Sequence, residues 1–317
     1  MSKEHHAFRF INMRMQDSDL FNSAKERKHT PNAMLGIIIF FCLWGGSLIL
    51  GRFVTIPIIE SLPNDTPLWV SFALALRKIL ICGFQILAFF AWVKFVEKRR
   101  IATLGFTCKH KAKAYCIGFL FGLGSISAIT FILVALGAIE IEFNNLFPVE
   151  NLISSLCVAV FGWGIQSASE EIAIRGWLIP TLGIRYNPLA AVLLTGGVFG
   201  LLHLLGNGAT VLSFINLTLS GFFFAMYAIN AGNIWGVCGL HLSWNLAQGN
   251  VFGLNISGEQ STNLSLFITS NAGTDLLTGG DFGPEGGFIT TAFLVCAIIL
   301  IGLNMYSKHL ALIPGDN

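Results

Sequence analysis

Long apolar stretches separated by short polar segments dominate the chain. Each stretch approaches the roughly 20 residues that a helix needs to cross the hydrocarbon core of a bilayer. Such stretches begin near eight positions, which are Met34, Ile79, Ala114, Leu152, Pro188, Ala209, Asn233 and Gly287. The pattern therefore predicts an all-α fold, a polytopic membrane helical bundle of about eight transmembrane helices.

The composition narrows the class of protein further. Of the 317 residues, 54% are hydrophobic and only 11% are charged, whereas a soluble domain carries about 25% charged residues. So few charges could not cover the surface of a soluble fold of this size, and a cytosolic globular enzyme is excluded. The seven cysteines contain no CxxC pair, which argues against a disulfide framework or a thiolate zinc site. The net charge of +2 carries no information about nucleic-acid binding, and we expect no nucleic-acid partner.

The distribution of charge predicts the organisation of the chain. It divides into a polar N-terminal tail, a single transmembrane domain and a short C-terminal tail, at residues 1–33, 34–309 and 310–317. Basic residues concentrate in the first tail and in the loop after the second apolar stretch, and basic loops face the cytoplasm. If the spans alternate, both termini are cytoplasmic. Arg52, Arg77 and Lys78 are exceptions that we expect to snorkel at the outer ends of the first two spans.

Several ionisable side chains lie inside the apolar stretches, where a charge at the centre of a span costs roughly 2.5–3.5 kcal/mol. The fourth, fifth and seventh stretches carry them, together with a polar amide, at Glu170, Glu171, Arg175, His203, His241 and Asn245. A spacing of four residues puts two side chains on one helix face, which pairs Glu171 with Arg175 and His241 with Asn245. Glu170 points about 100° away from Glu171 and is less easily neutralised. We therefore predict one functional cavity shared by these three spans.

The ordered motifs resemble those of a known family. Glu170-Glu171-x-x-x-Arg175, Phe199-x-x-x-His203 and His241-x-x-x-Asn245 are similar to the motifs of the CPBP, or Abi, family. That family contains type II CAAX prenyl endopeptidases and bacteriocin-processing or immunity proteins. The likeness covers a family core at about residues 151–250, and the Gly-rich extracytoplasmic loop at 251–286 looks like that of bacterial members.

The resemblance implies an intramembrane endopeptidase in the bacterial inner membrane, whose peptide or protein substrate reaches the site through the lipid bilayer. Glu170 with His203 would activate a water to attack the scissile amide. His241 and Asn245 would donate hydrogen bonds to the developing oxyanion.

Three further residues of the motifs are expected to support the site. Glu171 with Arg175 would hold the helix and orient Glu170, while Phe199 places an aromatic ring beside an imidazole. The Gly-rich loop is expected to be either a lid over the cavity or a flexible connector.

Three alternatives stay open. In a metal-dependent version, Glu170, His203 and His241 would bind zinc and leave an open position for water. The HExxH signature is absent, and we favour a glutamate mechanism without a cofactor, with Zn²⁺ as the alternative. A peptide-binding or immunity protein would capture a peptide in the same cavity without cutting it. An ion-coupled transporter would also use buried Glu, His and Arg, although no internal repeat supports it.

Overall fold

The computed structural model describes residues 15–27 and 31–310 of the chain. Helices make up most of this part. In chain order the elements are α1 (Asp19–Ala24), α2 (Ala33–Glu60), α3 (Pro67–Ala91), α4 (Lys111–Ala135), β1 (Ile139–Phe143), α5 (Val149–Glu171), α6 (Ile179–Arg185), α7 (Pro188–His203), α8 (Val211–Ala231), α9 (Trp235–Leu246), β2 (Phe267–Asn271), α10 (Asp275–Thr278) and α11 (Phe288–Leu310). A π-helical segment, Ile172–Leu178, continues α5 into α6.

Most of the apolar stretches fold into the predicted helices, and six helices in the described part are long and apolar enough to cross a membrane. They are Ala33–Glu60, Pro67–Val96, Lys111–Ala135, Val149–Arg185, Val211–Ala231 and Phe288–Lys308. The helices α7 and α9 are shorter, with 16 and 12 residues. The polytopic helical membrane bundle is therefore confirmed, and the count of eight spans stays a prediction.

The start of the second span differs from the sequence expectation. Helix α3 begins at Pro67, because the side chain of Thr66 accepts a hydrogen bond from the backbone N–H of Trp69 and proline is pre-organised for the first turn. Lys78 consequently lies eleven residues into the helix, about 16 Å along its axis. The expectation that Arg77 and Lys78 lie at the outer end of this span is wrong.

The long helices alternate in direction, so the bundle has two faces. One face, here called the tail face, is covered by α1; the opposite loop face carries β1 and β2. Part of the predicted polar tail is packed, because Leu20 and Phe21 are buried and the Ser18 hydroxyl donates to the carbonyl of Ile229 at 2.8 Å. The rest of that predicted tail, at 1–14 and 28–30, and the C-terminal residues 311–317 lie outside the described residues.

A small sheet ties the Gly-rich loop to the bundle. Strands β1 and β2 pair antiparallel, with Ile139 opposite Asn271 and Phe143 opposite Phe267. The loop also packs against the turn between α7 and α8, since a Cβ placed on Gly258 would lie 2.4 Å from the backbone nitrogen of Asn207. These contacts position the loop over the end of α7, where the site lies.

Glycines seat α9 closely against α4. A Cβ placed on Gly118 would lie 1.8 Å from the carbonyl oxygen of Gly236, and one on Gly122 would lie 2.2 Å from that of Leu240. Gly239 makes the reciprocal approach to the carbonyl of Tyr115, at 2.2 Å. Small residues allow such close backbone packing inside a membrane. The position of α9, which carries His241, therefore depends on these glycines.

Candidate active site

A cavity of about 160 Å³ lies between α5, α7, α8, α9 and the Gly-rich loop. Four of the predicted site residues line it: Phe199, His203, His241 and Asn245. They come from the end of α7 and from the middle and end of α9. The structure thus brings together the predicted motifs of the fifth and seventh apolar stretches in one space.

His203 is oriented by its own helix. Its Nδ1 lies 2.8 Å from the carbonyl oxygen of Phe199, one turn earlier. A carbonyl can only accept, so this contact requires the proton on Nδ1, and in the neutral imidazole the lone pair is then on Nε2. The rings of Phe199 and His203 also pack together, with centroids 4.7 Å apart, as the four-residue spacing predicts.

His241 is joined to the motif of α5 through Glu171. The Glu171 Oε1 atom accepts from His241 Nδ1 at 2.8 Å and from the Arg175 guanidinium at 3.0 Å. The side chains of Glu171 and Arg175 are fully buried, and that of His241 nearly so. The predicted pairing of Glu171 with Arg175 is therefore present, and its carboxylate also orients an imidazole on another helix.

Two phenylalanines form the layer between Arg175 and the histidines. The Arg175 guanidinium carbon lies 4.7 Å from the ring centroid of Phe199 and 5.3 Å from that of Phe224. The Phe224 ring in turn packs 5.1 Å from the His241 ring. Cation–π contact of this kind stabilises a desolvated guanidinium. Sequence reasoning missed Phe224, because one aromatic in an apolar stretch carries no signal of its own.

Glu170 is connected to Asn245 through Gln166. The Gln166 Nε2 atom donates to Glu170 Oε1 at 2.5 Å, and its Oε1 accepts from Asn245 Nδ2 at 3.1 Å. Glu170 is 8% exposed, and its second carboxylate oxygen is buried without a hydrogen-bond partner among the described residues. It stands behind Asn245 and is not itself among the residues that line the cavity. Gln166 was not predicted, although its position four residues before Glu170 puts both on one helix face.

The Gly-rich loop contributes a further carboxylate to the cavity wall. Glu285 is buried, and its Oε2 accepts from the backbone N–H and the hydroxyl of Ser257, at 2.7 and 2.6 Å. Ser257 holds a left-handed backbone conformation with φ of 48°. Both residues line the cavity. The loop is therefore part of the site, which favours the lid over the flexible connector.

The proposed zinc ligands do not converge on one position. Within the described ranges, no three His, Cys, Asp or Glu side chains are grouped so that they could hold a metal ion. Glu170 Oε1 is occupied by the amide of Gln166, and His241 Nδ1 faces Glu171. The trio of Glu170, His203 and His241 does not fit a three-ligand zinc site in this arrangement.

Comparison with known proteins identifies the segment that carries this site. Residues 148–247 match the family model described as type II CAAX prenyl endopeptidase Rce1-like. The uncharacterized protein YyaK of Bacillus subtilis (strain 168) is 34% identical over 105 residues, which are 32% of this chain and 35% of that relative. The match thus spans about a third of the relative's length, and no solved structure matches the chain. Most of the helices around the cavity lie in the segment that matches the Rce1-like family model, and the family resemblance that the three motifs predict is confirmed for that segment.

Proposed function

We propose that this chain is an intramembrane endopeptidase that hydrolyses a peptide bond by means of an activated water. The observation that carries the proposal is the cavity lined by His203, His241 and Asn245, with Glu170 joined to Asn245 through Gln166. This set lies within the residues that match the endopeptidase family. A group of carboxylate, imidazoles and amide has the chemical types that amide hydrolysis needs.

Glu170 and His203 activate the water in this proposal. The Nε2 lone pair of His203 is available because Nδ1 donates to the carbonyl of Phe199. The second oxygen of Glu170 has no hydrogen-bond partner in the part of the chain that the structure describes. As the water oxygen bonds to the scissile carbonyl carbon, its proton passes to one of these two groups. That proton then moves to the amide nitrogen as the C–N bond breaks, which releases an amine and a carboxylic acid.

Asn245 and His241 stabilise the oxyanion that forms on the carbonyl. One N–H of the Asn245 amide is used by Gln166, and the second is available for the oxyanion. His241 Nδ1 faces Glu171, so Nε2 donates to the oxyanion only when the imidazole carries both protons. The buried Glu171 carboxylate is the counter-charge to that imidazolium. A preorganised donor is worth about 10²–10³ in kcat in acyl transfer.

Glu171, Arg175 and Phe199 position these groups. Arg175 holds Glu171 and donates a further hydrogen bond to the carbonyl of Gly221 on α8, at 3.3 Å. Phe199 packs against Arg175 on one side and His203 on the other. Arg175 thereby links the helices of the first two motifs directly, and it reaches His241 of the third motif only through Glu171.

A zinc-dependent version of the enzyme makes a different prediction. We expect cleavage by the purified chain to persist after dialysis against a chelator, since Glu170 and His203 supply the base. Loss of cleavage after chelation, with recovery on addition of Zn²⁺, would favour the metal alternative. In that zinc-loaded form, Glu170 would bind the metal instead of accepting a hydrogen bond from Gln166.

The proposal also includes the route of the substrate and the orientation of the enzyme in the membrane. The substrate is a peptide or protein segment that reaches the cavity through the bilayer. The enzyme resides in a bacterial plasma membrane with both termini in the cytoplasm, so the tail face is cytoplasmic. Cysteine labelling from outside intact cells checks this orientation, at positions in the 61–66 and 272–274 turns of the loop face.

Mapping of peptide termini tests the proposed function. Membranes from cells that express wild type, Glu170→Ala or His203→Ala at equal levels are compared. Glu150→Ala, an exposed glutamate on the same helix as Glu170, is the matched control. We expect new termini in wild type and control that vanish in both site variants. Identical maps in all four would count against proteolysis and favour the peptide-binding or transport alternative.

A further inference from the structure

A second cleft adjoins the candidate active site. It lies between α3 and α5 and is covered by the segment 256–262 of the Gly-rich loop. Trp163, Ile256 and Glu259 line both this cleft and the main cavity. The cleft is small, about 50 Å³, so a ligand could enter only if the covering segment moved.

The cleft contains a fixed ammonium group. The Nζ atom of Lys78 lies 3.8 Å from the ring centroid of Trp163 and 2.7 Å from each carboxylate oxygen of Glu259. Trp163 is itself held by a hydrogen bond from its indole N–H to Asn250, at 2.8 Å. A cation about 16 Å along a membrane helix is costly without an anion beside it. Lys78 therefore needs a carboxylate at this position.

The two partners of this ion pair are held differently. The Lys78 side chain is 13% exposed and belongs to the helix wall, where Trp163 covers it. The Glu259 side chain is 44% exposed and belongs to the covering loop, next to left-handed residues Ser257 and Gly258. Arg77, which is 48% exposed, approaches the same carboxylate at 3.5 Å on the rim. The cations are part of the wall, and Glu259 is the partner that another carboxylate could replace.

We propose that Lys78, with Arg77 at the rim, is a carboxylate-binding subsite for the peptide substrate, and that Glu259 occupies it in this structure. The inference rests on the proposed function and names a property of its substrate. Because the cleft shares a wall with the catalytic cavity, a peptide carboxylate held by Lys78 lies close to the scissile bond. That carboxylate is either the C-terminus of the peptide or an Asp or Glu side chain.

Binding of short peptides tests this subsite without requiring cleavage. The purified full-length chain carries Glu170→Gln and is placed in nanodiscs of zwitterionic lipid, so that no anionic lipid competes. The probes are dansyl-Ala-Val-Leu-Leu with a free C-terminus, its C-terminal amide, and the amide with Glu in place of Val. Fluorescence polarisation gives each affinity for the parent, Lys78→Gln and Glu259→Gln, with Arg52→Ala on an exposed part of α2 as control.

We expect a carboxylate-bearing peptide to bind about tenfold tighter than the neutral amide, the range of a charge-assisted hydrogen bond. Lys78→Gln should remove that preference, Arg52→Ala should keep it, and Glu259→Gln should strengthen it, since the internal competitor is lost. If only the peptide with a free C-terminus binds more tightly, the subsite binds the terminal carboxylate. If only the Glu peptide binds more tightly, the subsite binds an acidic side chain.

Equal binding of all three peptides by the parent would overturn the subsite. So would a Glu259→Gln variant that binds acidic peptides more weakly, a result that stands even if Lys78→Gln does not fold. If the carboxylate-bearing peptides bind more tightly but Glu170→Ala leaves the terminus maps unchanged, the proposed proteolysis is rejected while the carboxylate-binding subsite is supported.

Discussion

At the residue scale, one carboxylate and one amide each serve two partners in the site. Glu171 accepts from Arg175 and from His241, while Gln166 donates to Glu170 and accepts from Asn245. The contacts within α5 follow from helical spacing and are predictable from the sequence. The contacts to α9 are not, because they join residues 70 and 79 positions apart and depend on how the helices pack.

The bridge through Gln166 gives a prediction for Gln166→Leu. A hydrogen bond to a charged group is worth about 1.5–3 kcal/mol, so we expect kcat to fall roughly 10–100-fold. KM should change little, since Gln166 does not line the cavity. Steady-state kinetics of the reconstituted chain measures both, with Ser154→Ala on the same helix as control. An unchanged kcat would remove Gln166 from the mechanism.

At the element scale, the geometry of the bundle depends on where each helix begins and on which helices it contacts. The stretches near Met34, Ala114 and Pro188 begin within a few residues of α2, α4 and α7, since an apolar stretch of span length has one stable form in a bilayer. The sequence pattern places the start of α3 twelve residues late, because Arg77 and Lys78 interrupt the apolar pattern there. Their compensating partner, Glu259, comes from a loop that no periodicity identifies.

The glycine contact between α4 and α9 gives a prediction for Gly122→Ala. The added Cβ would lie 2.2 Å from the Leu240 carbonyl and 2.3 Å from the Ser243 hydroxyl, so α9 must shift together with His241. Overpacking of this kind costs about 1–3 kcal/mol, and we expect a lower midpoint of thermal unfolding and a lower kcat.

Gly124→Ala is the matched control for this glycine. Gly124 lies two residues away on the same helix, and no atom of the described ranges would lie within 4 Å of an added methyl group there. We expect wild-type stability and kcat for this variant. An equal loss of stability and kcat in both variants would mean that a general effect on helix α4, and not the close packing of α9 against it, explains the result.

At the scale of the whole molecule, a buried ionic cluster fastens the tail face. Glu97 accepts from Arg99 and from the indole N–H of Trp177, at 2.5 and 3.0 Å, and lies 3.8 Å from Arg27. Burial lowers the pKa of Arg27 to about 10, which still leaves it charged at neutral pH. The sequence predicts that the basic loop orients the chain in the membrane, and in the structure Arg99 of this loop is buried in the ionic cluster.

Glu97→Gln should therefore destabilise the fold. Removing one partner of a buried ion pair costs about 3–5 kcal/mol, because the remaining charges stay buried without compensation. A lower midpoint of thermal unfolding checks this expectation. The control is Glu26→Gln: Glu26 forms an exposed pair with Arg100, whose guanidinium lowers the pKa of Glu26. Since solvent screens that pair, we expect no measurable shift there, and an equal shift in both variants would contradict a special role for Glu97.

The central claim is that Glu170 activates water for peptide hydrolysis inside the bundle. The most direct measurement is the cleavage rate of a peptide from the terminus maps by purified wild type and Glu170→Gln in nanodiscs. Loss of a general base lowers kcat by about 10²–10⁴-fold, so we predict at least a hundredfold drop with an unchanged unfolding midpoint. Wild-type cleavage by a folded Glu170→Gln variant would contradict the account.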